Sequence, residues 1–110
     1  LKALPALAAL NGLLAVAIGA FGAHAITDAQ AKAWIATGAT YGLGHAAAAL
    51  AVADRSRAAA WAMTLGALLF AGALYVLALT GQRWLGMVAP VGGTLMIAGW
   101  ATLLGAALRR

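Results

Sequence analysis

Few residues in this chain could do chemistry. It has two histidines, His24 and His45, two acids, Asp28 and Asp54, and no cysteine. Without cysteine there is no disulfide framework, no thiolate zinc site, no iron–sulfur ligation and no thiol nucleophile. His45 follows Tyr41 by one helical turn inside a long apolar segment. An ionisable side chain at membrane depth is a functional candidate, here as a ligand, a proton-linked group or a quinone contact. The structural alternative is a neutral imidazole hydrogen-bonded to Tyr75, Asn11 or a backbone carbonyl. His24 closes the stretch GAFGAH, Gly19 to His24, and is expected at the outer interface, finishing the first helix. Two histidines invite a haem, but by helical rise they lie roughly 16 Å apart in depth. A haem, pigment or quinone contact would therefore use His45 or His24 alone.

The remaining polar residues read as structure. Asn11 is expected to tie helices together, and both acids stand at helix ends, where capping and local charge pairing use them. No carboxylate dyad or hydrolytic triad can be assembled. Gly92-Gly93 follows Pro90 inside an apolar segment and matches no nucleotide loop. The chain is expected to be non-enzymatic, with no cofactor required.

The elements that hold these residues follow from composition. Of 110 residues, 65% are hydrophobic and only 8% charged, with mean hydropathy +0.97. A soluble domain is about 25% charged. The net charge of +5 lies in loops and termini rather than along a stripe, which argues against nucleic acid and for a lipid bilayer with anionic headgroups. Lys2, the first apolar run and Ala23-His24-Ala25 imitate a secretory leader. That run exceeds the roughly 7–15 residues of a signal core and reads as a first span.

The pattern predicts an all-α, integral membrane four-helix antiparallel bundle forming a single domain, with spans at about 4–24, 29–53, 57–80 and 86–108, each near the ~20 residues a bilayer needs. Thr27 with Gln30 is a capping-box pattern that would start the second helix, with Asp28 and Lys32 paired one turn apart. Ser56 is the expected cap of the third helix. Pro90 implies a kinked or irregular entry to the fourth. Lys2, Arg55, Arg57, Arg109 and Arg110 stand on one side, Lys32 and Arg83 on the other, so both termini are expected to be cytoplasmic. Trp34, Trp61 and Trp84 read as belt residues, and Trp100, nearer mid-membrane, as packing or lipid-facing.

Lipid is as apolar as leucine, so small residues and interhelical hydrogen bonds must hold such helices together. On the second helix Gly38, Gly42 and Gly44 share an arc with Thr37, Tyr41 and His45, including a GxxxG spacing. Pro5, Ala8, Gly12, Ala15 and Gly19 form a band on the first helix. Ala62, Gly66 and Ala73 do so on the third, and Gly92, Gly99 and Ala106 on the fourth.

These residues also resemble a known family. GAFGAH, then Trp34, Thr37, Gly38, Tyr41 and His45, then Leu69-Phe70, Gly72, Leu74-Tyr75 and Leu77-Ala78-Leu79, then Pro90-Val91-Gly92-Gly93 and Ala98-Gly99-Trp100 resemble the YgdD-like small bacterial inner-membrane proteins. That family is catalogued as a domain of unknown function. The resemblance covers nearly the whole chain and implies a four-span, multi-pass protein of the bacterial inner membrane, with no activity attached. It adds Gly22, Gly72, Tyr75, Pro90 and Gly93 to the packing or partner-contact candidates. The function expected is that of a small accessory or structural subunit packing against other membrane-protein subunits in a larger complex, plausibly an energy-transducing one. The alternatives are a homo-oligomeric channel or carrier with Thr37, Tyr41 and His45 facing a polar path, and a haem, pigment or quinone binder.

Overall fold

The computed structural model describes residues 2–109. Four helices follow one another, α1 (Ala3–Ala25), α2 (Ala29–Val52), α3 (Arg57–Thr80) and α4 (Ala89–Leu108), with a 3-10 turn at Arg83–Met87 leading into α4. All four are long and apolar enough to cross a membrane. At 1.5 Å per residue they run about 30–36 Å, the thickness of the hydrocarbon core.

The connections are short because each helix end is closed locally. Asp28, not Thr27, caps α2: its carboxylate accepts the Ala31 N–H at 2.8 Å. Either residue has a suitable oxygen, and α2 starts one residue too late for Thr27 to reach its first free N–H groups. Ser56 caps α3 by accepting from Ala59 N–H at 3.1 Å. At the far end of α3, Gly81 adopts φ 73° and its N–H returns to the Leu77 carbonyl at 2.8 Å. That left-handed turn favours glycine. Pro90 lies in the first turn of α4, where a missing N–H is tolerated. The irregularity expected near it is the 3-10 turn that precedes it, and α4 itself runs on without a break.

Neighbouring helices run antiparallel, as the pairings along α1 and α2 show: Gly12 faces Ala46, Gly19 faces Ala39 and Gly22 faces Ile35. The hub is α3, which packs on α1, α2 and α4 and carries the largest share of buried residues, among them Ala60, Met63, Thr64, Gly66, Ala67 and Ala71. α2 joins α1 to α3, while α1 and α4 lie on different sides of the hub. They approach at one end, where Leu4, Ala8, Ala49, Ala60 and Met63 cluster with Leu103 packed against them. At the other end Ala73, Leu74, Leu77, Leu85 and Ala89 cluster beneath Trp34 and Phe70.

The glycines divide by what they face. The closest backbone approach is between α3 and α4: a methyl on Gly66 would stand 2.8 Å from the Gly92 carbonyl oxygen, and one on Gly99 would stand 3.1 Å from that of Ala59. On α2 the Gly38/Gly42 spacing is not a backbone seam. It is a slot for the ring of Tyr75, which lies 2.8 Å from where a Gly38 methyl would be. Gly44 and Gly72 face nothing within 4 Å, and Gly93 meets only Phe70, at 3.9 Å. These three are not internal packing residues. The shared arc expected on α2 also splits, with Gly38, Gly42 and His45 buried and Thr37, Tyr41 and Gly44 exposed. Its span of about 160° is wider than one helix contact covers.

Candidate functional site

Thr37, Tyr41 and His45 lie along a groove between α2 and α4, floored by α3. Its mid-membrane part, about 440 Å³, is lined by Thr37, Tyr41 and His45 of α2, Phe70 of α3, and Gly93, Met96, Ile97 and Trp100 of α4. Phe70 also lines a second depression of about 550 Å³, which runs past Trp34, Leu74 and Leu77 to Arg83 and Pro90. The two depressions meet at Phe70, which lines both.

His45 lines the mid-membrane groove. Its Nδ1 lies 2.8 Å from the Tyr41 carbonyl oxygen of its own helix, and its Nε2 lies 2.9 Å from Trp100 Nε1 on α4. An indole N–H only donates, so Nε2 must accept, and the ring proton sits on Nδ1, pointing at the carbonyl. Both nitrogens of a neutral imidazole are thereby engaged. No lone pair is left for haem iron or another metal, and the ring acts as a tie from α2 to α4. Tyr41 stacks loosely on His45 with ring centroids 6.2 Å apart and meets Phe70 edge-on at 5.3 Å. Trp100 meets His45 edge-on at 5.9 Å.

Sequence reasoning placed His45 in hydrogen-bonding company but missed Trp100. The available signal was an indole N–H away from the aromatic belt, which in hydrocarbon requires an acceptor. His24 is not brought to this site. It is exposed in the last turn of α1. By the α1/α2 pairing it stands level with residues 33–34, roughly 17 Å along α2 from His45. Asn11, buried in α1, donates to the Thr64 carbonyl of α3 at 3.1 Å. It is glue between helices.

Tyr75 is buried on the other side of the hub, and its hydroxyl has no hydrogen-bond partner among the described residues. The oxygen stands 3.3 Å from where a Gly42 methyl would be, in a wall completed by Ala71 and Ala15. An unsatisfied buried hydroxyl is unfavourable by about 1–3 kcal/mol. Tyr75→Phe is therefore expected to hold or raise stability, by up to about 1 kcal/mol after partial relaxation, as measured by reversible unfolding in lipid–detergent mixtures. A loss of stability would show that the hydroxyl has a partner.

Comparison with known proteins matches this architecture to a family. Residues 18–93, from late α1 into α4, match the family described as "Protein of unknown function (DUF423)". The chain is 42% identical over 113 aligned residues to the UPF0382 inner membrane protein YgdD of Escherichia coli K12, covering 93% of this chain and 86% of that one. It is 39% identical to a UPF0382 membrane protein of Haemophilus influenzae, covering 88% and 86%. It is 37% identical to one of Staphylococcus epidermidis, covering 94% and 93%. No solved structure matches at a significant level. The match takes in Thr37, Tyr41, His45 and Phe70 but stops before Trp100. With four bilayer-length apolar helices and this coverage, the chain belongs to the DUF423 family, as a multi-pass protein of the bacterial inner membrane.

Proposed function

We propose that the protein is a non-enzymatic subunit that packs against a larger complex in the inner membrane, with both termini cytoplasmic. The observation that carries this reading is Gly72. It lies in the middle third of α3 and has nothing within 4 Å of where its side chain would be. Exposed Leu65, Leu69, Val76 and Leu79 surround it on the same helix face, turned away from the α2/α4 groove. A glycine inside a helix is less favourable than alanine by about 1 kcal/mol, and nothing within this chain offsets that. Bare backbone flanked by leucines is what a foreign transmembrane helix needs for close approach.

Two further features support the reading. One of the two acids and the one buried histidine are engaged in structure, Asp28 as a cap and His45 as an interhelical tie. The connections outside the helices are a few residues each. The orientation is supported by the excess of lysine and arginine at the termini and the α2–α3 turn.

The test is the native mass of the particle after gentle extraction at the chain's own expression level. Co-migration with a large assembly at fixed stoichiometry is expected, and Gly72→Leu should release the chain as a small particle with unchanged helicity. A wild-type chain that always migrates alone overturns the proposal.

A further inference from the structure

We infer that the groove between α2 and α4 binds a membrane-soluble amphiphile with a planar, carbonyl-bearing head, the chemistry of a quinone, held by hydrogen bonds from Thr37 and Tyr41. This inference does not depend on the subunit proposal, because it concerns the opposite side of the hub.

The argument begins with hydroxyl groups. Thr40, Thr64, Thr80, Thr94 and Thr102 each donate to the carbonyl four residues back in their own helix, at 2.6–2.9 Å. That is how a threonine satisfies itself in hydrocarbon. Thr37 is the helical threonine that makes no such bond among the described residues. The Tyr41 hydroxyl, one turn along and on a side chain 47% exposed, is likewise without a partner among them. Both line the same groove. In water neither would need comment. Tyr41 stands at the midpoint of α2 and Thr37 about 6 Å from it by helical rise, where the bilayer offers no water and an unmade hydrogen bond is unfavourable. Two adjacent donors call for a ligand with acceptors.

The shape narrows the class. Phe70, Tyr41 and Trp100 present aromatic surface, while the Trp100 N–H is engaged with His45 Nε2 and His45 Nδ1 with the Tyr41 carbonyl. They can offer flat faces but no further bonds. Gly93 keeps the α4 side of the groove low, with only the edge of Phe70 near where a side chain would be. A flat ring with oxygen acceptors fits that space, and about 440 Å³ lies in the usual range for a small-ligand pocket.

Other occupants fit less well. A partner helix needs a seam through the whole bilayer, and the His45–Trp100 tie stops this groove halfway. The phosphate and ester oxygens of phospholipids lie in the interfacial layers outside the roughly 30 Å hydrocarbon core, beyond reach of Thr37 and Tyr41.

The test uses the purified full chain in nanodiscs of synthetic phosphatidylcholine and phosphatidylglycerol, titrated with decylubiquinone and read by tryptophan quenching. Saturable quenching is expected. Thr37→Val with Tyr41→Phe, nearly isosteric changes, should weaken it at least tenfold. Gly93→Leu should abolish it by filling the groove, and Thr94→Val, whose hydroxyl bonds within α4, should leave it unchanged. Native mass spectrometry of the chain extracted from its own membrane should show a retained quinone that the double variant loses. Absence of saturable quenching in the wild type overturns the inference. So does quenching indifferent to both the double variant and Gly93→Leu, and so does a retained phospholipid in place of the quinone.

Discussion

Gly92→Ala should disrupt the α3/α4 pair, lowering the free energy of unfolding by about 3 kcal/mol or more, at the upper end of what one added methyl does in a packed core. The new carbon would meet the Phe70 backbone nitrogen and lie 2.5 Å from the Gly66 carbonyl oxygen and 2.9 Å from the Phe70 Cα. All three are main-chain atoms, so no rotamer change makes room. The helices must separate, and the seam continues at Gly66 and Gly99, so separation affects its full length. Without a hydrophobic driving force between helices in lipid, lost contact along a small-residue seam is not recovered elsewhere. Gly44→Ala is the matched control. It adds the same methyl on α2 where nothing lies within 4 Å, and should raise stability by a few tenths to about 1 kcal/mol through helix propensity. Steric-trap unfolding in bicelles measures both. Equal effects of the two substitutions would show that the α3/α4 seam is not as close as described.

His45→Ala should destabilise by about 2 kcal/mol, combining a lost interhelical hydrogen bond with the space left by the ring. Trp100→Phe keeps an aromatic ring and removes the indole N–H, so it should lower stability by about 1 kcal/mol. In the double variant the losses should not add, with a coupling of about 0.6–1.7 kcal/mol. The bond direction has its own signature. Nitrogen NMR of labelled histidine should find the His45 proton on Nδ1 and Nε2 unprotonated. A proton on Nε2, or strict additivity, would mean that Trp100 and His45 are merely neighbours.

How much of this was legible in the sequence depends on what each residue answers to. The four spans and the Ser56 cap respond to local pattern, apolar length and a capping oxygen before a run of small residues. These are readable without a partner. The choice between Thr27 and Asp28 is not, because two adjacent residues can cap and the outcome turns on a one-residue difference in where α2 begins. The glycines show the same limit more strongly. Gly38, Gly44, Gly72 and Gly92 look alike in an alanine-rich chain, yet one receives a tyrosine ring, two face outward and one sits against another backbone. Only the rotation of each helix about its axis separates them, and that is a property of the assembled bundle. The groove was half visible: Thr37, Tyr41 and His45 were singled out together, but its α4 wall of Gly93, Ile97 and Trp100 was not joined to them.

The position of α3 as hub also orders the birth of the protein. Helices enter the membrane in the sequence in which they are made. When α1 and α2 have inserted as a hairpin, the Gly38/Gly42 slot and the Asn11 amide have no occupant, since Tyr75 and the Thr64 carbonyl arrive only with α3. α3 in turn exposes the main chain around Gly66 until α4 closes on it, and the His45–Trp100 tie forms last. Assembly is therefore a one-way succession of dependent joins. Between synthesis of α3 and synthesis of α4, the main chain around Gly66 has no helix of its own chain to cover it.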